Sequence, residues 1–184
     1  MFERIILLID EGETRREAAA LAHALAAQSL AEQGFVIHLS GDLGAGKTTF
    51  VRAMLREFGF HGPVKSPSFT LLETYNPGSF PIYHFDLYRF SSPDQWFDAG
   101  FDDILAGPGL MLVEWPEQAA GALASPDLQL RLQPVDDDCP PGMPQLVDTP
   151  PGDEARRLTW QAHSTAGRQC LSDLNRLRPL PPTA

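Results

Sequence analysis

Residues 41 to 48 read Gly41-Asp42-Leu43-Gly44-Ala45-Gly46-Lys47-Thr48. The spacing satisfies G-x-x-x-x-G-K-[ST], a loop that cradles phosphate. Glycines let the backbone curl so that successive N–H groups point inward at anionic oxygens. Lys47 supplies a cation for the outer phosphates, and Thr48 a hydroxyl for Mg²⁺, an ion that keeps most of its waters. The motif means little without its context, and the context is present. Phe35-Val-Ile-His-Leu39, bounded by Gly34 and Gly41, reads as a strand buried on both faces. Lys47 to Phe58 reads as a helix closed by Gly59, so its positive end faces the same anion.

Working outward, Leu110-Met-Leu-Val113 is a second buried-strand candidate, with Glu114 at its end. In an open parallel sheet, ligands collect at the carboxyl ends of the strands. Glu114 therefore reads as the carboxylate near a metal, although a solvated strand-end acid has the same signature. Ile82-Tyr-His-Phe85-Asp86 places Asp86 after another largely apolar run. We assign Asp86 to orienting or activating water. His84 shares its strand face; a joint metal site and a plain surface pair both fit, and His84 is left without a role. Ser66-Pro-Ser-Phe-Thr70, after Lys65, has the hydroxyls of a switch loop ordered by a terminal phosphate. An ordinary proline turn has the same residue types.

The remaining pattern alternates strand and helix. Ile5 to Ile9 predicts a strand and Asp10 to Glu13 a turn. Thr14-Arg-Arg-Glu17 has capping-box spacing for a helix reaching about Ser29. Phe69 to Tyr75 and Ile82 to Tyr88 flank Asn76-Pro-Gly78 as a hairpin. Pro93 to Asp98 predicts a short helix ended at Gly100, and a helix start is expected after Pro116. Leu128 to Leu132 alternates with period two, as an edge or one-sided strand does. Arg156 to Ala162 reads as a returning strand and Thr165 to Leu177 as the last helix. The whole predicts an α/β fold with a parallel centre in one domain over residues 1–184. Pro134 to Glu154 holds six prolines and six acids with no Lys or Arg, and is expected to be a loop. Residues 178–184 are expected to be a frayed tail.

Composition excludes several classes. The 184 residues carry 14 Lys and Arg against 24 Asp and Glu, a net charge of -10. Such a surface argues against bulk electrostatic binding of nucleic acid or anionic membrane. Cys139 and Cys170 form no CxxC and no ligand cluster, which argues against a disulfide framework or zinc site. No apolar run reaches membrane-spanning length, and Met1 to Ile5 lacks the order of a signal peptide. A reducing cytoplasm is the expected location.

Four blocks together carry a resemblance: Gly41 to Thr49, Ser66-Pro-Ser-Phe-Thr-Leu71, His84-Phe-Asp-Leu-Tyr-Arg89 and Val113-Glu-Trp-Pro-Glu117. In order and separation they resemble the bacterial TsaE (YjeE) ATPases, which assist threonylcarbamoyladenosine formation on tRNA. The likeness covers residues 5 to 132, with a weaker echo at Glu154-Ala-Arg156. It implies a small P-loop NTPase-like three-layer fold with a mostly parallel, mixed central sheet. It also implies weak, Mg²⁺-dependent ATP hydrolysis, by a chain that is a monomer when isolated. The implied partner is a heterodimer of kinase-like-fold proteins, of TsaB/TsaD type, which transfers the threonylcarbamoyl group to adenosine next to the anticodon. Contact with tRNA would run only through that complex.

Carried over by residue, the resemblance implies that Gly41, Asp42, Leu43, Gly44, Ala45, Gly46, Lys47, Thr48 and Thr49 hold nucleotide. Thr48 and Glu114 would serve Mg²⁺, and Asp86 and Lys47 catalysis. Trp115 lies beside the site by position, or is a core tryptophan. Thr14 and Arg156 are placed near the base or ribose. Departures from the family text are Ser68 for Thr, Ala53 for Gly, Phe101-Asp-Asp-Ile104 and the acidic segment. None touches the phosphate chemistry. Arg89 is weighed as an arginine finger against a salt-bridged surface residue. A small-molecule or nucleoside kinase, and a non-hydrolysing nucleotide-gated module, are the rival readings. A kinase would bring several lid arginines, yet only Arg131 lies between Glu114 and the acidic segment. No Asn-Lys-x-Asp text for guanine occurs.

Overall fold

In a computed structural model, which describes residues 2–135 and 155–178, strand and helix alternate as expected. Phe2–Leu8 (β1), Glu11–Ala26 (α1), Gly34–Ser40 (β2) and Lys47–Glu57 (α2) come first. Leu72–Tyr75 (β3), Ile82–Asp86 (β4), Gln95–Asp98 (α3), Phe101–Leu105 (α4) and Gly109–Glu114 (β5) follow. After a 3-10 turn, Pro116–Ala119, come Leu128–Pro134 (β6), Arg156–Ala162 (β7) and Thr165–Leu177 (α5). Residues 136–154, with Cys139 and the echo at Glu154, lie outside the described residues, as do 179–184.

The strands form one sheet in the order β1-β7-β6-β2-β5-β4-β3. β6, β2, β5 and β4 pair in parallel; β7 and β3 run against their neighbours. The parallel centre follows from composition. All six residues of β5 are buried, as a strand covered on both faces requires. Leu110 and Leu112 join the core under α1, α2 and α5, with Leu21, Phe50 and Leu171. Met111 and Val113 join Phe85, Trp96 and Phe101 on the opposite face. Those three rings meet at centroid distances of 5.2–5.3 Å. The layer built by α3 and α4 stops at this point. Along β6 and β7 the alternate positions are Gln129, Arg131, Gln133 and Arg157, Thr159, Gln161, while Leu130, Leu132, Leu158 and Trp160 are buried. β6 is thus one-sided yet interior to the sheet.

Several boundaries differ from expectation. The first helix starts one turn before Thr14: Asp10 is the cap, accepting from the Glu13 N–H at 2.7 Å. The segment 10–13 is therefore cap and first turn, not a separate turn, and the helix ends at Ala26. Thr14 donates to the Asp10 carbonyl at 3.3 Å. Glu17, the expected capping-box partner, is fully buried instead. It accepts from Trp160 Nε1 at 3.2 Å and from Arg4 Nη2 at 3.4 Å. A buried carboxylate needs such donors, and tertiary packing has overridden a local signal. Arg178, the first residue of the expected tail, is anchored: its carbonyl accepts from Arg4 at 2.8 Å, and its guanidinium donates to Glu13 at 2.6 Å. Gly100 does end a helix, but it also caps α4, which the pattern did not announce. The element after Pro116 is the short 3-10 turn.

Candidate functional site

The register brings three strand ends together. Leu39 of β2 and Asp86 of β4 both stand opposite Glu114 of β5. The loop 41–46 leaves β2 at this edge and enters α2. Gly41 has φ +140°, and a Cβ there would overlap the Leu132 carbonyl oxygen of β6. Only glycine lets the loop pass that close. Gly46 caps α2 at φ 102°, with no side chain capping the first turn and no acid in it. The free N–H groups of that turn are left for an anion. Thr49 follows Thr48 in this turn, and Leu43, at the crest of the loop, is exposed.

Lys47 is buried and turns back on its own loop. Its Nζ donates to the carbonyls of Gly41 at 2.6 Å and Asp42 at 3.0 Å. It also lies 3.9 Å from the centre of the Trp115 ring. Burial pushes its pKa below the usual lysine value, while Glu114 and Asp86 pull the other way. Thr48 Oγ1 donates to Glu114 at 2.9 Å to Oε1 and 3.2 Å to Oε2. Asp86 is buried; Ser66 Oγ donates to its Oδ2 and the Tyr88 N–H to its Oδ1 at 2.9 Å. Lys47, Thr48, Asp86, Glu114 and Trp115 thus converge.

Trp115 is neither a core residue nor relaxed. Its φ is +59°, which costs a side-chain-bearing residue roughly 1–2 kcal/mol. Its ring meets Tyr88 at 5.0 Å and forms one wall of a cavity of about 760 Å³ on the uncovered sheet face. Arg89 matches neither reading weighed for it, since its guanidinium sits 4.1 Å from the centre of the exposed Phe69 ring. Thr14 and Arg156 stand at the same sheet edge but farther along it. Arg156 begins β7 opposite Pro134 and Leu8, and donates to the Ala155 carbonyl at 2.8 Å.

Two residues joined to the site carried no assigned role. His84, fully buried on β4, has Nε2 2.8 Å from Glu114 Oε1. Its i, i+2 relation to Asp86 was visible, but not the strand pairing that aims it at Glu114. Ser66 was visible only as part of a hydroxyl-rich segment. Its contact with Asp86 depends on how Leu71, at φ +64°, turns the chain into β3.

Among the described residues no group of three or more His, Cys, Asp or Glu side chains forms a metal cage. The hydroxyl of Thr48 and the carboxylate of Glu114 are hard oxygen donors. They fit an ion that keeps waters and takes phosphate as a further ligand. Among the described residues no helix is long and apolar enough to cross a membrane.

The family model described as "Threonylcarbamoyl adenosine biosynthesis protein TsaE" matches residues 10–139. A Haemophilus influenzae protein named tRNA threonylcarbamoyladenosine biosynthesis protein TsaE is 42% identical over 106 residues, 58% of this chain and 67% of that one. The Rickettsia felis protein of the same name is 40% identical, over 72% of this chain and 74% of its own. The Bacillus subtilis one is 40% identical, over 66% and 75%. The crystal structure of Bacillus subtilis YdiB superposes with a TM-score of 0.71 at 28% identity, covering 95% of each chain.

Proposed function

This chain belongs to the TsaE family of threonylcarbamoyl adenosine biosynthesis proteins, and we propose that it is a weak Mg²⁺-dependent ATPase supporting threonylcarbamoyladenosine formation on tRNA. In this reading it works in the cytoplasm with a heterodimer of kinase-like-fold proteins of TsaB/TsaD type, is a monomer apart from them, and meets tRNA only through the complex. The observation that carries the ATPase reading is the convergence of Lys47, Thr48, Glu114 and Asp86 at one sheet edge. A net charge of -10 agrees with a partner supplying the surface for tRNA.

Phosphoryl transfer to water needs positioning and charge stabilisation more than covalent chemistry. The amides of 41–48 and the open first turn of α2 bind the phosphate chain. Lys47 swings from its own carbonyls onto the outer phosphates, exchanging neutral acceptors for charged ones. Thr48 and Glu114 hold Mg²⁺, which when bound neutralises charge on the transferring group. Asp86, fixed by Ser66 and the Tyr88 N–H, orients the attacking water. Since no arginine among the described residues is aimed at this edge by a contact with the site, slow turnover alone and completion by the partner follow.

Turnover of Mg·ATP by purified protein tests the chemistry. Lys47→Ala abolishes hydrolysis, whereas Asp86→Ala loses hydrolysis but keeps ATP binding. Normal hydrolysis by either variant overturns the assignment. Co-purification from extract with ATP or ADP tests the partners, and recovery of the two kinase-like-fold proteins is the expected result.

A further inference from the structure

We propose that His84 is a positioning residue for the metal carboxylate: it pins one oxygen of Glu114 so that the carboxylate meets Thr48 and a divalent ion in one fixed rotamer. The proposal rests on the ATPase reading of the site and adds a residue to it.

Glu114 sits at the end of β5 with its side chain buried. Among the described residues its carboxylate has two side-chain partners, Thr48 and His84. Thr48 is the partner that turns to a metal when one binds, because its hydroxyl has a single proton and its oxygen is the ligand. His84 is the partner that stays. It is fully buried, and its strand is locked to β5 by pairing of His84 with Leu112 and of Asp86 with Glu114. Nε2 must be the donor, since an ionised carboxylate only accepts. The other ring nitrogen, Nδ1, is buried with no partner. A second proton there would be an unsatisfied buried donor, so the geometry selects a neutral ring with its hydrogen on Nε2. A carboxylate held through such an outer partner is pre-oriented for its ion.

The test uses calorimetric titration of ADP into the full chain across a Mg²⁺ series and without Mg²⁺. His84→Phe keeps the ring volume and removes the donor. It is expected to raise the Mg²⁺ concentration needed for tight ADP binding by about 10–100-fold, leaving metal-free ADP affinity unchanged. His84→Gln places an amide N–H near the Nε2 position and is expected to restore the Mg²⁺ response. His84→Asn places it near Nδ1 and is not. A purely structural role would weaken metal-free binding and thermal stability together in all three variants, and that pattern overturns the proposal. So does a folded His84→Phe, or a folded His84→Asn, with the Mg²⁺ response of the unaltered chain. If the unaltered chain itself binds no Mg·ADP, the ATPase reading falls and this assignment with it.

Discussion

Thr48 and Glu114 lie 66 positions apart in the chain, yet Oγ1 of one stands 2.9 Å from Oε1 of the other. The loop and the end of β5 are therefore joined before any ligand arrives. Glu114→Gln keeps the shape and removes the charge. It should lower Mg²⁺-dependent turnover by about tenfold or more. Hydrolysis measured across a Mg²⁺ series checks this, and an unaltered Mg²⁺ requirement would remove Glu114 from the metal site.

Gly41 has no room for a side chain. In Gly41→Ala the new methyl meets the Leu132 carbonyl oxygen at a backbone angle that L residues rarely adopt. Overpacking of this kind costs about 1–3 kcal/mol, so the variant should unfold at lower temperature and bind nucleotide poorly. A thermal scan reads the first effect. Gly44, which has nothing near its Cβ position, is the control for packing, although its φ of +79° still disfavours alanine. Equal stability losses at the two sites would mean that β6 does not constrain the loop.

Trp115 should report occupancy of the loop. The chain has three tryptophans, and Trp96 and Trp160 are fully buried within the two cores. Only Trp115 touches Lys47, and moving that ammonium onto phosphate removes a cation from the ring face. Nucleotide should therefore change the intrinsic fluorescence of the unaltered chain but not of Trp115→Phe. Persistence of the change in that variant would locate its source elsewhere.

His38 should make the fold acid-sensitive. Burial, with a lesser push from His163, takes its pKa from 6.5 down to about 4. The unfolded chain takes up a proton near pH 6.5 and the folded chain only near 4, so each step down in pH between them favours unfolding. The loss attributable to this ring is about 3 kcal/mol across the window. Urea unfolding at pH 7, 5.5 and 4 should show a shallower decline for His38→Gln than for the unaltered chain. Parallel declines would exclude the ring as the cause.

The parts of the fold legible in the sequence are those whose residues act locally. Gly41 to Thr48 announces its own curvature and charge. The unbroken apolar runs at 35–39 and 110–113 announce strands covered on both faces, and 165–177 announces a helix to the residue. Lys47, Thr48, Asp86 and Glu114 follow, because strand ends after buried runs gather at one sheet edge. What stayed hidden depends on partners far along the chain. Glu17 has the spacing of a cap residue, but Trp160 and Arg4 draw it inward. His84 has no local mark of its role, which β4–β5 register alone creates. Trp115 and Leu71 have positive φ that neither residue type favours, so tertiary contacts must impose it.

β1 is made first, yet its sheet partner is β7, and Phe2 waits for Ala162. The carbonyl of Leu132 that presses on Gly41 also belongs to the last third of the polypeptide. A nascent chain released only as far as Trp115 would hold every side chain proposed here for phosphate and metal, without the wall that shapes their loop. Synthesis of this protein therefore delays its competence until the ribosome has delivered β6 and β7. Truncation behind Trp115 should leave a cradle made of the right residues in the wrong curve.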